Sequence, residues 1–443
     1  MIPVHELSPY IGENLKKYRL ANGMRQEELC EGVCSVSQLS KIENGKAQVK
    51  AEHLKIMAER LGVTVEQLMT TDAIHDELRD QIELTKKATV ARNYAQAYEL
   101  IRSVITRAQA NGYQDLHAEA VLYECYLLST TDRNCQAALL KLRETLTDGG
   151  EFDPITRADL LIEYGRIYAC SGDLVEAFRQ YLQADTLLQH LQPIADDHYA
   201  QVLDRLSTCM FDLQNWHSGY RYAERCAQIA TARNLRHQRL RSLAMQATYA
   251  SKLGRSEEAK RLLEASLQEA VDYQFIHEIA VLENNLGCWY LEQGELDTAH
   301  QCLQRSMTAF QQLDNPAVLY QPLLNLAEWA QKAGNYEHSL QFAQRALDLV
   351  HASSLPGPAY LIEGRILTMN AKSYELLGDP ERKTALYEQA LNLYDQNRAI
   401  IPAYEVCVTL AEHCYERNDP RALSLYKQAV GYNRTIHELG VKK

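Results

Sequence analysis

A spacing of about forty residues recurs along most of this chain and leaves few folds open to it. The segments YGRIYACSGDLVEAFRQYLQA (164–184), LGCWYLEQGELDTAHQCLQRS (286–306) and LAEWAQKAGNYEHSLQFAQRA (326–346) share one layout. Each has a small residue, an aromatic or Ala three positions later, a Gly with a polar neighbour, and then a second small residue. That second position recurs as Ala97, Ala138, Ala177, Gly219, Ala259, Ala299, Ser339, Lys383 and Ala422, at intervals of 39 to 44 residues. One turn per unit and apolar positions at helical spacing predict helical hairpins stacked one on the next. Small residues at the crossing let two helices approach closely. Lys383 breaks that rule, which puts the packing of the eighth unit in question.

The first seventy residues follow a different pattern, that of five short helices. Ile11, Leu15 and Tyr18 recur at helical spacing before a stop at Asn22-Gly23. Arg25-Gln26 opens a second helix expected to carry Leu29 and Val33. A third starts near Val36 with Leu39 and Ile42 inward, and Asn44-Gly45 closes it. Leu54, Met57, Ala58 and Leu61 form a fourth that ends at Gly62, and Thr64 caps a fifth that holds Leu68.

Composition narrows the function classes. A chain of 443 residues, 46% hydrophobic, can bury a large core. No run reaches the roughly twenty apolar residues of a membrane span, so a soluble, cytoplasmic protein without membrane partners is expected. The eleven cysteines are scattered and odd in number, and Cys30 and Cys34 stand four apart with no second pair nearby, so the thiols read as packing groups and no metal is expected. The net charge is −12, yet residues 1–70 hold nine Lys/Arg and nine Asp/Glu, so all of it falls on the remainder. An acidic body repels phosphate, and any DNA affinity must come from local contacts on a small neutral domain working as a dimer. Phosphate-binding glycine loops, nucleophile elbows and zinc-protease motifs are absent, and no enzyme or cofactor is expected.

Resemblance sharpens this reading. The stretches GENLKKYRLANGMRQEEL, SVSQLSKIENGK and LKIMAERLGVTVEQL resemble the helix-turn-helix of the phage-repressor and Xre class over most of residues 10–69, with an inter-helix turn, GVCS, one residue shorter than in the phage repressors. Gly165, Tyr168, Ala177, Tyr181 and Ala184 match the tetratricopeptide signature. Together the regions resemble the Gram-positive quorum-sensing regulators grouped as Rgg, Rap, NprR, PlcR and PrgX, and the length suits the NprR-like branch. The resemblance implies an all-α protein. Its domains would be a helix-turn-helix over 1–70, a linker over 71–77, and a right-handed superhelix of about nine tetratricopeptide-like hairpins over 78–443. It further implies a short signalling peptide bound in the concave groove, a two-fold operator in double-stranded DNA, a homodimer or higher oligomer, and, as an alternative role, inhibition of a phosphorelay response regulator.

Site residues follow from these expectations. In a helix-turn-helix the second helix of the motif enters the major groove, which turns Val36, Ser37, Gln38 and Lys41 toward base edges. Gln38 can pair with adenine, Lys41 can donate to guanine, and Val36 can meet a thymine methyl. Gln26, Ser35, Ser40, Asn44 and Lys46 are placed for phosphates. Arg19 and Glu43 match the family's structural ion pair. In the repeats, first helices line the groove. There an extended peptide needs side chains that donate and accept, which singles out Asn284, Asn285 and Asn325. Arg166, Gln201, Asp204, Arg205 and Arg241 fall on first helices too, and the arginines could hold a carboxylate. Each could equally bond across neighbouring repeats.

Overall fold

A computed structural model describes residues 8–69, 73–132, 134–147, 152–313, 316–352, 359–397 and 399–438, and all regular structure among them is helical. The chain divides into two compact units, Met1–His117 and Ala118–Lys443. The five short helices are present as α1 (Ser8–Ala21), α2 (Gln26–Cys30), α3 (Val36–Glu43), α4 (Ala51–Leu61) and α5 (Val65–Met69). Ile11, Leu15, Leu29, Leu39, Ile42, Leu54, Met57, Leu61 and Leu68 form their common core. Helices this short are marginal alone, and their stability comes from packing their apolar faces together.

Local chemistry sets the ends of these helices. Ser35 caps α3 by accepting from the Gln38 N–H at 3.2 Å. The second helix is shorter than expected: it stops at Cys30, and Gly32 takes φ +68°, a left-handed turn that removes Val33 from the helix. Val33 still packs on the core, from the turn. Gly12 explains how α1 and α3 lie so close, because a Cβ there would sit 1.9 Å from the Ile42 carbonyl oxygen.

The expected linker over 71–77 is helical from Ala73, where α6 (Ala73–Val90) begins, while residues 70–72 lie outside the described residues. With α7 (Tyr94–Asn111) it makes the first hairpin, which belongs to the same compact unit as the five short helices. Arg79 donates to Glu13 at 3.2 Å, and the Lys17 ammonium lies over the Tyr113 ring at 5.9 Å. Both contacts are exposed and contribute little each. Leu78 and Ile82, one turn apart and fully buried, hold α6 in place.

Eight further hairpins follow among the described residues. They pair α8 (Gln114–Thr130) with α9 (Cys135–Thr147), α10 (Pro154–Ser171) with α11 (Leu174–Leu188), and α12 (Asp196–Asp212) with α13 (Trp216–Ala232). Next come α14 (Arg236–Lys252) with α15 (Ser256–Asp272), α16 (Ile276–Gln293) with α17 (Leu296–Gln311), and α18 (Tyr320–Lys332) with α19 (Tyr336–Ala352). The last are α20 (Ala359–Leu376) with α21 (Pro380–Gln396) and α22 (Ile400–Glu416) with α23 (Ala422–Glu438). Every marker position of the forty-residue period lies in the first turns of a second helix. Ala138, Ala177, Ala259, Ala299 and Ser339 are fully buried there, and Lys383 is buried too. The small residues are small because rings fill the space: a Cβ on Gly165 would meet Tyr181 at 2.5 Å, and one on Gly364 would meet Tyr394 at 2.3 Å.

Within the second unit the array also touches itself at long range. Ile400, Ile401, Tyr404 and the buried Ile436 pack on the core of α10 to α13, around Leu161, Ile162, Leu203 and Leu206. Gln214 donates to Glu405 Oε1 at 2.8 Å, and the Tyr360 ring lies against Gly172. The third and fourth hairpins thus meet the eighth and ninth.

Candidate functional site

A buried ion pair sets the position of α3. Arg19 on α1 donates from Nε to Glu43 Oε1 at 2.6 Å and from Nη2 to Oε2 at 2.9 Å, while Nη1 donates to the Met24 carbonyl at 2.9 Å. Both side chains are almost fully buried, and the paired geometry fixes the end of α3 against α1. Gln26 joins this network: its amide donates to Glu43 Oε2 at 2.7 Å. That assigns it a role the sequence did not suggest, since a phosphate-contacting side chain was expected. One of its two amide N–H groups goes to the buried carboxylate, which leaves the second as a donor, and the side chain is half-buried.

With Leu39, Ile42 and Glu43 turned inward, the opposite side of α3 is open. Ser35, Val36, Ser37, Gln38 and Lys41 are exposed, and Ser40 is half-buried. Asn44 is exposed at the end of the helix but donates its amide to the Ser40 carbonyl at 2.7 Å, closing the last turn. Lys46 is exposed just beyond. Ser35 uses a lone pair as cap, which leaves its O–H for an outside acceptor. Arg60 braces the arrangement by donating to the Leu29 carbonyl at 2.8 Å.

In the repeats, most of the expected ligand-binding side chains bond to protein. Asn325 on α18 donates to Asn284 Oδ1 on α16 at 2.8 Å, a buried bond between the sixth and seventh hairpins. The pair leaves Asn284 Nδ2 as donor and Asn325 Oδ1 as acceptor. Arg241 on α14 donates to the buried Asp204 on α12 at 2.9 Å. Arg166 donates to both Glu163 oxygens at 2.7 and 2.6 Å and to Ser129 at 2.7 Å. Burial opposes its charge, but the paired Glu163 outweighs that and raises its pKa.

The remaining three differ. Asn285 is half-buried, and Gln201 is exposed beside Tyr123, Tyr126, Asp159 and His198 in a recess of about 360 Å³. Arg205, one turn from Gln201, buries its Nε without a hydrogen-bond partner among the described residues. An unsatisfied buried donor is destabilising unless a ligand or water meets it.

Comparison with known proteins agrees with this geometry. Residues 15–68 match the helix-turn-helix family and residues 284–313 the tetratricopeptide repeat family. The transcriptional activator NprA of Geobacillus stearothermophilus is 28% identical over 162 residues, which cover 35% of this chain and 37% of that protein. A Rap protein solved with competence and sporulation factor superposes with TM-score 0.58 at 15% identity, over 82% of this chain and 99% of the other. NprR in complex with its cognate peptide NprX gives TM-score 0.56 at 16% identity, over 83% and 97%. These matches show the fold: a helix-turn-helix segment, and an array of helical hairpins like those of the Rap protein and NprR.

Two further polar groups carry no marker in the sequence. Glu283, next to Asn284, is buried and takes a two-point bond from Arg305 at 2.7 and 2.9 Å. Asp212, at the end of α12, keeps solvent access, yet the protein around it pushes its carboxyl up to about 6. The Glu283 bond spans 22 residues within one hairpin, and neither residue departs from the repeat pattern, so no local signal marks them. Among the described residues no helix is long and apolar enough to cross a membrane, and no group of three metal-binding side chains converges.

Proposed function

We propose that this chain is a peptide-responsive transcription regulator. Residues 1–70 read a two-fold operator as part of a dimer, and residues 78–443 bind a short signalling peptide that changes the oligomeric or DNA-binding state. The observation that carries the reading is the open side of α3, where Val36, Ser37, Gln38 and Lys41 are exposed while Leu39 and Ile42 are buried behind them. A helix presenting its N-terminal side chains in this way, in a domain that matches the helix-turn-helix family, is shaped for the major groove. Support for a peptide comes from the fold shared with NprR, solved with its peptide, and from Arg205 Nε on a first helix, which has no partner among the described residues.

The test is to select DNA from a random duplex pool with the full chain, then to measure binding of variants. Gln38→Ala and Lys41→Ala should each lose about 1–3 kcal/mol on selected sites and little on random DNA. Lys46→Ala should weaken all sequences alike and flatten the salt dependence. Equal losses on selected and random DNA for the α3 variants would remove base reading from this helix, and a pool without enrichment would remove sequence-specific binding.

A further inference from the structure

The eighth hairpin departs from the small-residue rule, and the departure opens onto a recess. Lys383 on α21 stands where the other hairpins carry Ala, Gly or Ser, and it is buried with 7% exposure. Its Nζ donates to Glu375 Oε1 at 2.6 Å, and the Glu375 side chain is half-exposed. An ammonium has three N–H donors, so a single displaceable carboxylate leaves capacity on it.

His413 on α22 lines the same recess. It is 9% exposed, and its Nε2 is buried without a partner among the described residues. Burial, together with the charges of Lys383 and Arg417, lowers its pKa, which makes the neutral ring the form that faces the recess. The space holds about 470 Å³, within the usual size of ligand sites. Lys332, Lys372, Glu412 and Glu416, all exposed, stand around it.

We propose that this recess is a carboxylate-binding site of the repeat array, separate from the peptide reading of the central hairpins. A ligand carboxylate would accept from Lys383 Nζ and from the Nε2–H tautomer of His413, and would take over the place of the Glu375 oxygen. It satisfies the orphaned ring nitrogen and keeps the buried ammonium paired, which an uncharged ligand does not. Glu412 and Glu416 beside Lys332 and Lys372 make the rest of the lining mixed in charge, which suits a ligand that carries an ammonium beside its carboxylate over a multiply charged anion such as phosphate. The class is therefore an amino acid or the carboxyl end of a peptide.

Calorimetry on the full chain tests this, with acetate, glycine, inorganic phosphate, and a short peptide bearing a free or an amidated C-terminus as probes. Saturable binding of glycine or of the free-ended peptide is expected, with phosphate and the amidated peptide weaker. Glycine above the peptide would identify a free amino acid as the source, and the reverse order a peptide end. Lys383→Ala restores the small residue of the other repeats, so it should fold, and it should weaken binding at least about tenfold. His413→Phe should weaken it similarly while filling the same space. The His413 ring resonances should shift on adding glycine. Absence of saturable binding to a fully helical chain, equal affinity for phosphate, or unchanged affinity in Lys383→Ala would each overturn the proposal.

Discussion

At the scale of single residues, the recurring theme is a polar side chain whose role depends on its one partner. Asn is a weak helix former, so Asn284 and Asn325 need a reason to sit mid-helix. Their mutual bond at 2.8 Å, buried between hairpins, is such a reason. Removing one partner strands the other, which costs about 1–3 kcal/mol, whereas removing both leaves no unsatisfied group. Asn325→Ala and Asn284→Ala should therefore each lower stability by about that amount, and the double variant by clearly less than the sum. Urea unfolding of the four proteins measures the coupling. Strict additivity would mean that the pair contributes nothing as a pair. The same logic applies to Gln26, where the structure adds a bond to Glu43 beside the expected phosphate contact. Its position at the start of α2 suits a phosphate, but nothing local shows that Glu43, 17 residues away, needs a further donor.

At the scale of elements, neighbouring first helices are tied by histidine–carboxylate hydrogen bonds at matching places in the repeat. His198 on α12 bonds Asp159 on α10 at 2.8 Å, and His237 on α14 bonds Glu278 on α16 at the same distance. The bond to Asp159 raises the His198 pKa, against the opposing effect of burial, with Asp197 and Asp153 adding to the rise. A histidine whose folded pKa lies above its unfolded value favours the folded state fully below the unfolded value, near 6.5. That contribution is lost as pH rises through the folded value. Both side chains are about one-third exposed, so solvent screening keeps the effect below about 1 kcal/mol. Melting curves from pH 5.5 to 8.5 should show the parent losing more stability with rising pH than Asp159→Asn. Parallel pH profiles would exclude the link as a contributor.

At the scale of the molecule, a stacked repeat array is expected to be nearly one-dimensional, with each hairpin sensing only its neighbours. The unit Ala118–Lys443 departs from that expectation, because Ile400, Ile401, Tyr404 and Ile436 pack on the core of the third and fourth hairpins. This seam joins residues about 190 positions apart, as the bond from Gln214 to Glu405 shows. It couples the third and fourth hairpins to the ninth. Ile401→Asp places an unpaired charge in the seam, where its desolvation is costly. The variant should keep its helical content by circular dichroism while its radius of gyration in small-angle scattering increases. An unchanged radius in a folded variant would mean that the seam does not hold the array closed.

Much of this was legible in the sequence because it rests on short-range periodicity. The nine marker positions and the stops at Asn22-Gly23 and Gly62 report on geometry within one or two turns of helix, where spacing alone decides which face is buried, and Gly165 with Tyr181 reports on the crossing of one hairpin. The exposed side of α3 follows in the same way from Leu39 and Ile42. The end of α2 did not, since the left-handed turn at Gly32 overrode an apolar spacing that would have continued the helix to Val33. Nor did the extension of the first compact unit through α6 and α7, the partners of Gln26 and Asp204, the bond from Arg166 to Ser129, or the seam between distant hairpins. Those depend on which surfaces meet after the chain has folded, and a hydrogen bond or an apolar contact across tens of residues leaves no periodic trace in either segment. Lys383 stands at the boundary between the two: the sequence marked it as an exception to the repeat, and only tertiary packing placed it beside Glu375 and His413 in a recess.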